Sequence, residues 1–277
     1  MARSPLVSPS PDHARIRHAA AAASVLLWGV LPAVAGCGSS QGSPRARVQV
    51  DSQWTSFGRG LPADSFPAAS RRFSRIVAPR WTDESARDAS SEAETVIAAL
   101  PLLPGMYVAD IGAGDGYYMT RMSQRVGATG RVYEQDIVPE YLNLLADRMR
   151  AAGLRNVVVV RGEPSDPRLP RDSIDAAIMI HMYHEITEPY AQLWNLARSL
   201  KPGAHLGILD TTFPTDQHGT PPWLLDCELG VVGYHKVRSV SIGADEYLAI
   251  FRAPTRDSLP PPSAIRERVA DGACVQR

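Results

Sequence analysis

Between residues 105 and 252 the apolar positions fall in short blocks that switch between unbroken runs and three-and-four spacing. The runs predict buried strands and the spaced blocks predict helices lying on them. Tyr107 to Ile111 is an apolar run behind the turn former Pro104-Gly105. Tyr117 to Val126 then carries Met119, Met122 and Val126 on one helical face. A second strand is expected from Gly130 to Gln135, and a helix from Pro139 to Ala152 with Tyr141, Leu142, Leu145 and Met149 inward. Pro139 suits the first turn of that helix. Val157 to Val160 and Asp175 to Ile180 read as the third and fourth strands, Pro189 to Leu200 as a helix, and His205 to Asp210 as the fifth strand. Trp223 to Val232 is a helix ended by Gly233. His235–Ile242 and Glu246–Arg252, joined by Gly243-Ala244-Asp245, predict antiparallel neighbours. Ahead of all these, Ala89, Ala93, Val96, Ile97 and Leu100 place a helix over Ser85 to Leu100, capped by Thr82 or Asp83. Strands alternating with helices predict an α/β domain with a mostly parallel sheet.

The flanks lack this periodicity. Residues 1–18 carry Arg3, Arg15, Arg17 and His18, and Ala19 to Ala35 holds no charge. A basic start followed by an apolar stretch is the pattern of an export signal. Gly29 and Pro32 interrupt it, which makes it a poor membrane-spanning helix. Its end, Val34-Ala35-Gly36-Cys37-Gly38, resembles the lipobox of bacterial lipoproteins. That resemblance implies cleavage before Cys37, lipidation of its thiol, and a lipid anchor on the periplasmic or extracellular side of a bacterial membrane. The alternative is a cytoplasmic protein whose leader is appended by a mis-assigned start. Residues 38–75, rich in Ser, Pro, Gly and Arg, read as a flexible tether from which Trp54, Phe57, Phe66 and Phe73 are able to dock onto the domain. Residues 253–277 are again rich in Pro and Arg and are expected to be loose.

Lys+Arg and Asp+Glu both number 29, so no net field steers the chain towards nucleic acid, and no basic patch with interleaved aromatics occurs. The three cysteines, Cys37, Cys227 and Cys274, make no disulfide framework and no C-x-x-C. Cys227 is expected to be a small buried apolar residue of its helix.

The chemistry concentrates after the first strand, in Asp110-Ile111-Gly112-Ala113-Gly114-Asp115-Gly116. A strand, a glycine turn and a helix start bring backbone N–H groups to one spot, a place for the polar part of a nucleotide-like ligand. The dinucleotide fingerprint G-x-G-x-x-G would need glycine where Tyr117 stands, and no Tyr-x-x-x-Lys occurs, which disfavours an NAD enzyme. Asp136, at the end of the second strand, suits the two hydroxyls of a ribose, and Asp110 suits an ammonium group. Ribose, ammonium and glycine turn together describe S-adenosylmethionine. The segment resembles the cofactor loop of the class I S-adenosylmethionine-dependent methyltransferases, and the match runs from about Ser85 to Arg252, with Lys201-Pro202-Gly203 before the fifth strand included. The resemblance implies a Rossmann-like, doubly wound sheet with a C-terminal antiparallel hairpin and helices on both faces, a domain over residues 76–252. It also implies a cofactor held by Asp110, Gly112, Ala113, Gly114, Gly116, Asp136 and Ile137, with Glu163 beside the adenine or its ribose. In similar proteins the helix before the sheet reaches the cofactor, here with Arg87 and Glu92.

The fourth strand delivers His181-Met182-Tyr183-His184-Glu185 at its carboxyl end, where ligands bind in open α/β sheets. His181 and His184 are candidate general bases, His181 is also a candidate cofactor contact, and Tyr183 is a candidate pocket wall. No metal is expected, because no third ligand with sensible spacing accompanies H-x-x-H-E. The loop Thr211 to Thr220, with Asp216 and His218, is expected to cover the pocket. The reading is methyl transfer to an O, N or C nucleophile of a small molecule or protein side chain, driven mostly by proximity. The alternative is a membrane-anchored, non-catalytic module that binds a nucleoside-type ligand. An exported domain and a cytosolic cofactor pull against each other, and oligomeric state is not readable.

Overall fold

A computed structural model describes residues 53–76 and 84–275. The leader, Cys37, the first part of the tether and the expected caps Thr82 and Asp83 lie outside the described residues. The elements are α1 (Glu84–Ala89), α2 (Glu92–Ala99), β1 (Tyr107–Ile111), α3 (Met119–Val126), β2 (Arg131–Asp136), α4 (Pro139–Ala151) and β3 (Val157–Arg161). They continue with β4 (Ile174–Ile180), α5 (Pro189–Ser199), β5 (Leu200–Thr211), α6 (Pro222–Val232), β6 (His235–Ser241), β7 (Glu246–Arg252) and α7 (Pro262–Ala270).

One seven-stranded sheet runs in the order β3-β2-β1-β4-β5-β7-β6. Strands β1 to β5 pair in parallel, and β7 lies antiparallel between β5 and β6. The expected hairpin is therefore present, with its second strand inserted next to β5. Strand alternation divides the core in two. Ala109, Ile111, Ala177 and Met179 pack on one face with Leu193 of α5, Leu225 of α6 and Ile265 of α7. Val108, Val132, Ala176 and Ile178 pack on the other with Val96 of α2, Met122 of α3 and Leu145 of α4. Burial on both faces is why the central strands read as continuous apolar runs. The outer strand β6 is largely exposed and carries His235, Lys236 and Arg238, charges that discourage pairing with another chain.

Four expectations change. The single helix over 85–100 breaks at Ser90-Ser91, where Ser91 takes φ 53° and Ser90 Oγ donates to the Arg87 carbonyl at 2.9 Å. A serine that bonds its own backbone competes with helix continuation. The part of the tether from 53 to 76 is a strap bound to the domain. Thr55 bridges to Val160 at the β3 edge, Phe57 meets the Tyr133 ring edge-on, and Phe66 is buried against Trp194. Residues after Arg252, expected to be loose, fold into α7, with Pro262 at its first position and Ile265 fully buried. Finally, Cys227 of α6 is bonded to Cys274, joining α6 to the segment after α7 across a separation of 47 residues. Closing a loop of that size restricts the unfolded chain by about 4 kcal/mol in the chain-entropy picture. The odd thiol at Cys37 had hidden this pair in the count. No helix among the described residues is long and apolar enough to cross a membrane.

Candidate functional site

The carboxyl ends of β1, β2 and β4 open into a cavity of about 470 Å³. Strand β1 ends at Ile111, and the turn that follows places Gly112 and Gly114 at φ 69° and 58°. A Cβ on Gly112 would sit 2.9 Å from the Met182 side chain, whereas one on Gly114 would meet nothing within 4 Å. The first glycine permits packing and the second leaves the floor of the cavity clear. Gly116 is pressed from the other side by Leu145 and Met119.

Asp136 ties the turn to β2. Its Oδ2 accepts the Gly114 N–H at 3.0 Å, and its Oδ1 accepts those of Ile137 and Val138 at 2.7 and 2.9 Å. Burial raises its pKa, and these three N–H groups work in the opposite direction. A carboxylate offers about four lone-pair sites, so capacity for a further donor remains. Asp110 is buried in the cavity wall; burial pushes its carboxyl up to about 8, Arg87 pulls it down, and Asp136 and Asp115 add to the rise. Beside it on β2, Glu134 is fully buried and is raised well above the carboxylate range by burial and then by Asp110. Neither Glu134 oxygen has a hydrogen-bond partner among the described residues.

The helix break gathers a polar hub over this floor. Arg87 lies 3.7 Å above the Tyr117 ring and pairs with Glu92 at 2.6 Å. Glu92 also accepts the Tyr118 hydroxyl at 2.7 Å and stands 3.4 Å from His181 Nε2. Burial works against the Glu92 charge, but hydrogen bonds from His181 and Arg87 hold its carboxyl at about 2. Arg87 lines the cavity, as the resemblance implied, and Glu92 sits behind it.

The two histidines part company. His181 lines the cavity at φ 53°, fixed by its N–H to the Leu209 carbonyl at 2.8 Å. His184 is buried, with Nδ1 3.0 Å from Asp210 Oδ1 and its ring edge-on to His218 at 5.4 Å. Tyr183 is not a pocket wall: it is fully buried, and its hydroxyl donates to Glu228 at 2.8 Å. In a short helical turn its side chain points opposite to its neighbours, into the core. Glu163 does line the cavity, with Arg168 3.3 Å from its carboxylate.

Several contributors carried no sequence signal. The strap supplies Phe73, Ser74, Arg75 and Ile76 to the cavity wall. Arg71 anchors it through a buried ion pair to Glu228 at 2.9 Å. The loop 211–220, expected to cover the cavity, contributes nothing to its lining and packs behind the strap instead. Ser74 Oγ donates to the Thr215 carbonyl at 2.8 Å and accepts the His218 N–H at 3.1 Å. The helix that does border the cavity on the far side of β2 brings Tyr141.

Comparison with known proteins agrees with this geometry. Residues 108–203 match the family model of a methyltransferase domain. The chain is 31% identical over 112 residues to the ubiquinone/menaquinone biosynthesis C-methyltransferase of Vibrio vulnificus, covering 40% of this chain and 43% of that protein. It is 33% identical over 107 residues to the protein-L-isoaspartate O-methyltransferase of Pyrococcus horikoshii, covering 39% and 45%. The chain thus spans less than half the length of these curated relatives. Among solved structures, an S-adenosylmethionine-dependent methyltransferase from Aquifex aeolicus is 28% identical, with a TM-score of 0.55, covering 62% of this chain and 98% of that one. These matches support the class I S-adenosylmethionine-dependent methyltransferase superfamily and imply S-adenosylmethionine as the cofactor. The residues fit that group: the cavity has the volume of a small-molecule site, the Gly114 floor is open, and the acids Asp110 and Asp136 line it, suited to a hydroxylated, cationic ligand.

Proposed function

We propose that this protein is an S-adenosylmethionine-dependent methyltransferase acting on a small molecule or a protein side chain. One observation carries the reading: Asp110, the Gly112–Gly116 turn and Asp136 meet at the carboxyl ends of β1 and β2 around a single cavity. The bound cofactor would supply an already activated methyl group on a sulfonium. The protein's part is to bind, orient and move a proton. Asp136 holds the turn and accepts a ribose hydroxyl with its remaining capacity, and Asp110 faces the ammonium end. Gly112, Ala113, Gly114 and Ile137 offer backbone to the ligand, Gly116 shapes the turn from behind, and Glu163 borders the adenine side. His181, which lines the cavity with its Nε2 3.4 Å from Glu92, is the group placed to take a proton from an acceptor oxygen or nitrogen. Orientation in a walled cavity supplies the larger part of the rate.

The test is calorimetric titration of the full chain with S-adenosylmethionine. Micromolar binding, weakened about tenfold by Asp136→Ala, equal to about 1.4 kcal/mol, is the expected result. A folded protein that binds no cofactor would overturn the reading and favour the anchored, non-catalytic module.

Export with lipidation at Cys37 is the proposed localisation. The order of basic, apolar and small residues before that cysteine supports it, and so does the Cys227–Cys274 disulfide, a bond that persists in oxidising compartments. Fractionation of cells expressing the wild-type and Cys37→Ser chains decides it: membrane association lost in the variant supports the anchor, and a soluble wild-type protein refutes it.

A further inference from the structure

At the cavity wall, His184 and Glu185, with His218 behind them, bring one potential ligand atom each to within 4.8 Å of one another. We propose that these three residues form a binding site for a divalent transition-metal cation of the zinc type, with Asp210 as the group that orients His184.

Four features converge on this site. The first is the donor set. Two imidazoles and a carboxylate are a combination that binds zinc through three protein ligands and leaves a fourth position open. The second is the Asp210–His184 pair. Asp210 Oδ1 and Oδ2 stand 3.0 and 3.1 Å from Nδ1 of His184. Asp210 is itself fixed by the Thr211 N–H and the Thr220 hydroxyl, both at 2.8 Å. A carboxylate accepting the Nδ1 proton leaves the Nε2 lone pair outward, which is the arrangement that supports a metal-binding histidine.

The third feature is His218. Its Nδ1 is buried and has no hydrogen-bond partner among the described residues. A buried nitrogen left without a partner is costly, and a bound cation would supply one. The residue is also held at φ 57°, a left-handed conformation that a β-carbon disfavours, by its N–H to Ser74 Oγ and its carbonyl to the Thr211 hydroxyl at 3.0 Å. Backbone strain is thus spent on keeping this ring against His184. The fourth feature is the ring spacing. A histidine bound at about 2.1 Å has its ring centre about 3.2 Å from the ion, so two tetrahedral imidazole ligands lie roughly 5 Å apart. The His184 and His218 centroids are 5.4 Å apart. Spacing along the chain hid this site, since His218 arrives from the loop after β5 and not from the H-x-x-H-E segment.

His184 and Glu185 also line the cavity, so the open position would face it. Resting on the methyltransferase reading, this narrows the acceptor to a molecule with a hydroxyl, thiol or amine able to coordinate the cation, which would lower the pKa of that group.

The experiment uses the tag-free full chain, stripped with a chelator and titrated with zinc chloride by calorimetry and with cobalt chloride by visible absorption. One zinc per chain with micromolar or tighter affinity is expected, with cobalt bands of four- or five-coordinate intensity. His218→Asn keeps a residue that tolerates φ near 57° and is expected to weaken zinc binding at least 30-fold without lowering the melting temperature. Asp210→Asn is expected to weaken it 10- to 100-fold. His235→Gln, on the exposed strand β6, is expected to change nothing. Absence of stoichiometric zinc, or wild-type affinity in His218→Asn, overturns the proposal. A parallel titration with S-adenosylmethionine reads the methyltransferase reading separately, so that failure of one is distinguishable from failure of the other.

Discussion

The two sides of the cavity are built by different means. The side formed by β1, β2 and the glycine turn is made of residues 110 to 137, and its parts are fixed by backbone hydrogen bonds and left-handed glycines. The side formed after β4 is made of side chains from residues 73–76 and 180–192, backed from behind by residues 210–218. The first side presents mostly main chain, whose position depends little on which side chains surround it. The opposite wall is made of side chains on connecting segments, where substitutions alter the pocket without altering the sheet.

The largest test of this contrast is to detach the strap. Arg71→Met leaves Glu228 buried without its cation, and removal of one partner of such a pair costs about 3–5 kcal/mol, or roughly 6–20 °C in melting temperature. Because Ser74 holds His218, zinc affinity should fall with it, while S-adenosylmethionine affinity stays within about threefold. Equal loss on both sides would mean that the cavity is one unit rather than two. The mirror experiment is Gly114→Val. A β-branched side chain at φ 58°, aimed at the open floor, is expected to weaken cofactor binding at least 100-fold, about 2.7 kcal/mol, and to spare zinc binding.

Titration gives a finer view. Asp110, pushed up to about 8, holds a proton at neutral pH, and a cationic ligand favours its ionised form. Cofactor affinity should therefore rise between pH 6 and 8 with proton release, by at most tenfold per unit, until the ligand's own ammonium begins to lose its proton near 8. Calorimetry in buffers of different ionisation enthalpy counts the protons, and Asp110→Asn should flatten the profile. The smallest effect belongs to Glu134. Its folded pKa lies above its unfolded value, so its contribution to stability is complete below about 4 and is lost as pH rises through the folded value. Glu134→Gln should leave the fold intact, change stability by about 1 kcal/mol or less at pH 5, and reduce the decline in melting temperature between pH 5 and 8.

Legibility followed the same division. The order of strands and helices from β1 to β7 could be read because burial on two faces writes unbroken apolar runs and three-and-four spacing into the chain. The meeting of Asp110, Gly112, Gly114 and Asp136 at one cavity could be read because it depends on two adjacent strand ends and the turn between them. The strap was legible only in the aromatics able to dock, Phe57, Phe66 and Phe73; its course was not, since it has no period and its Arg71 is indistinguishable in sequence from a solvated charge. Its partners lie 157 residues away at Glu228 and 204 away at Cys274. Tyr183 was misjudged because which side of a short turn faces the core is decided by what arrives there later. The C-terminal helix had a signal that was passed over: Pro260-Pro261-Pro262 followed by Ile265 is a helix start with an apolar anchor. The disulfide had none beyond two cysteines among three.

The strap carries one more consequence, for the order of events in synthesis. It emerges from the ribosome before any strand of the sheet exists, yet it is held by groups made at the opposite end of the chain. The sheet can begin to form from its early strands as they appear, but the second wall of the cavity must wait until α6 and Cys274 have been translated. Phe66 finds Trp194 once α5 has been made, but Arg71 waits for Glu228 of α6, and until then the strap is only partly held and the growing chain is exposed to aggregation. Completion of the pocket is therefore a late, long-range step, and the finished cavity doubles as a sign that the chain has reached its C-terminal helix.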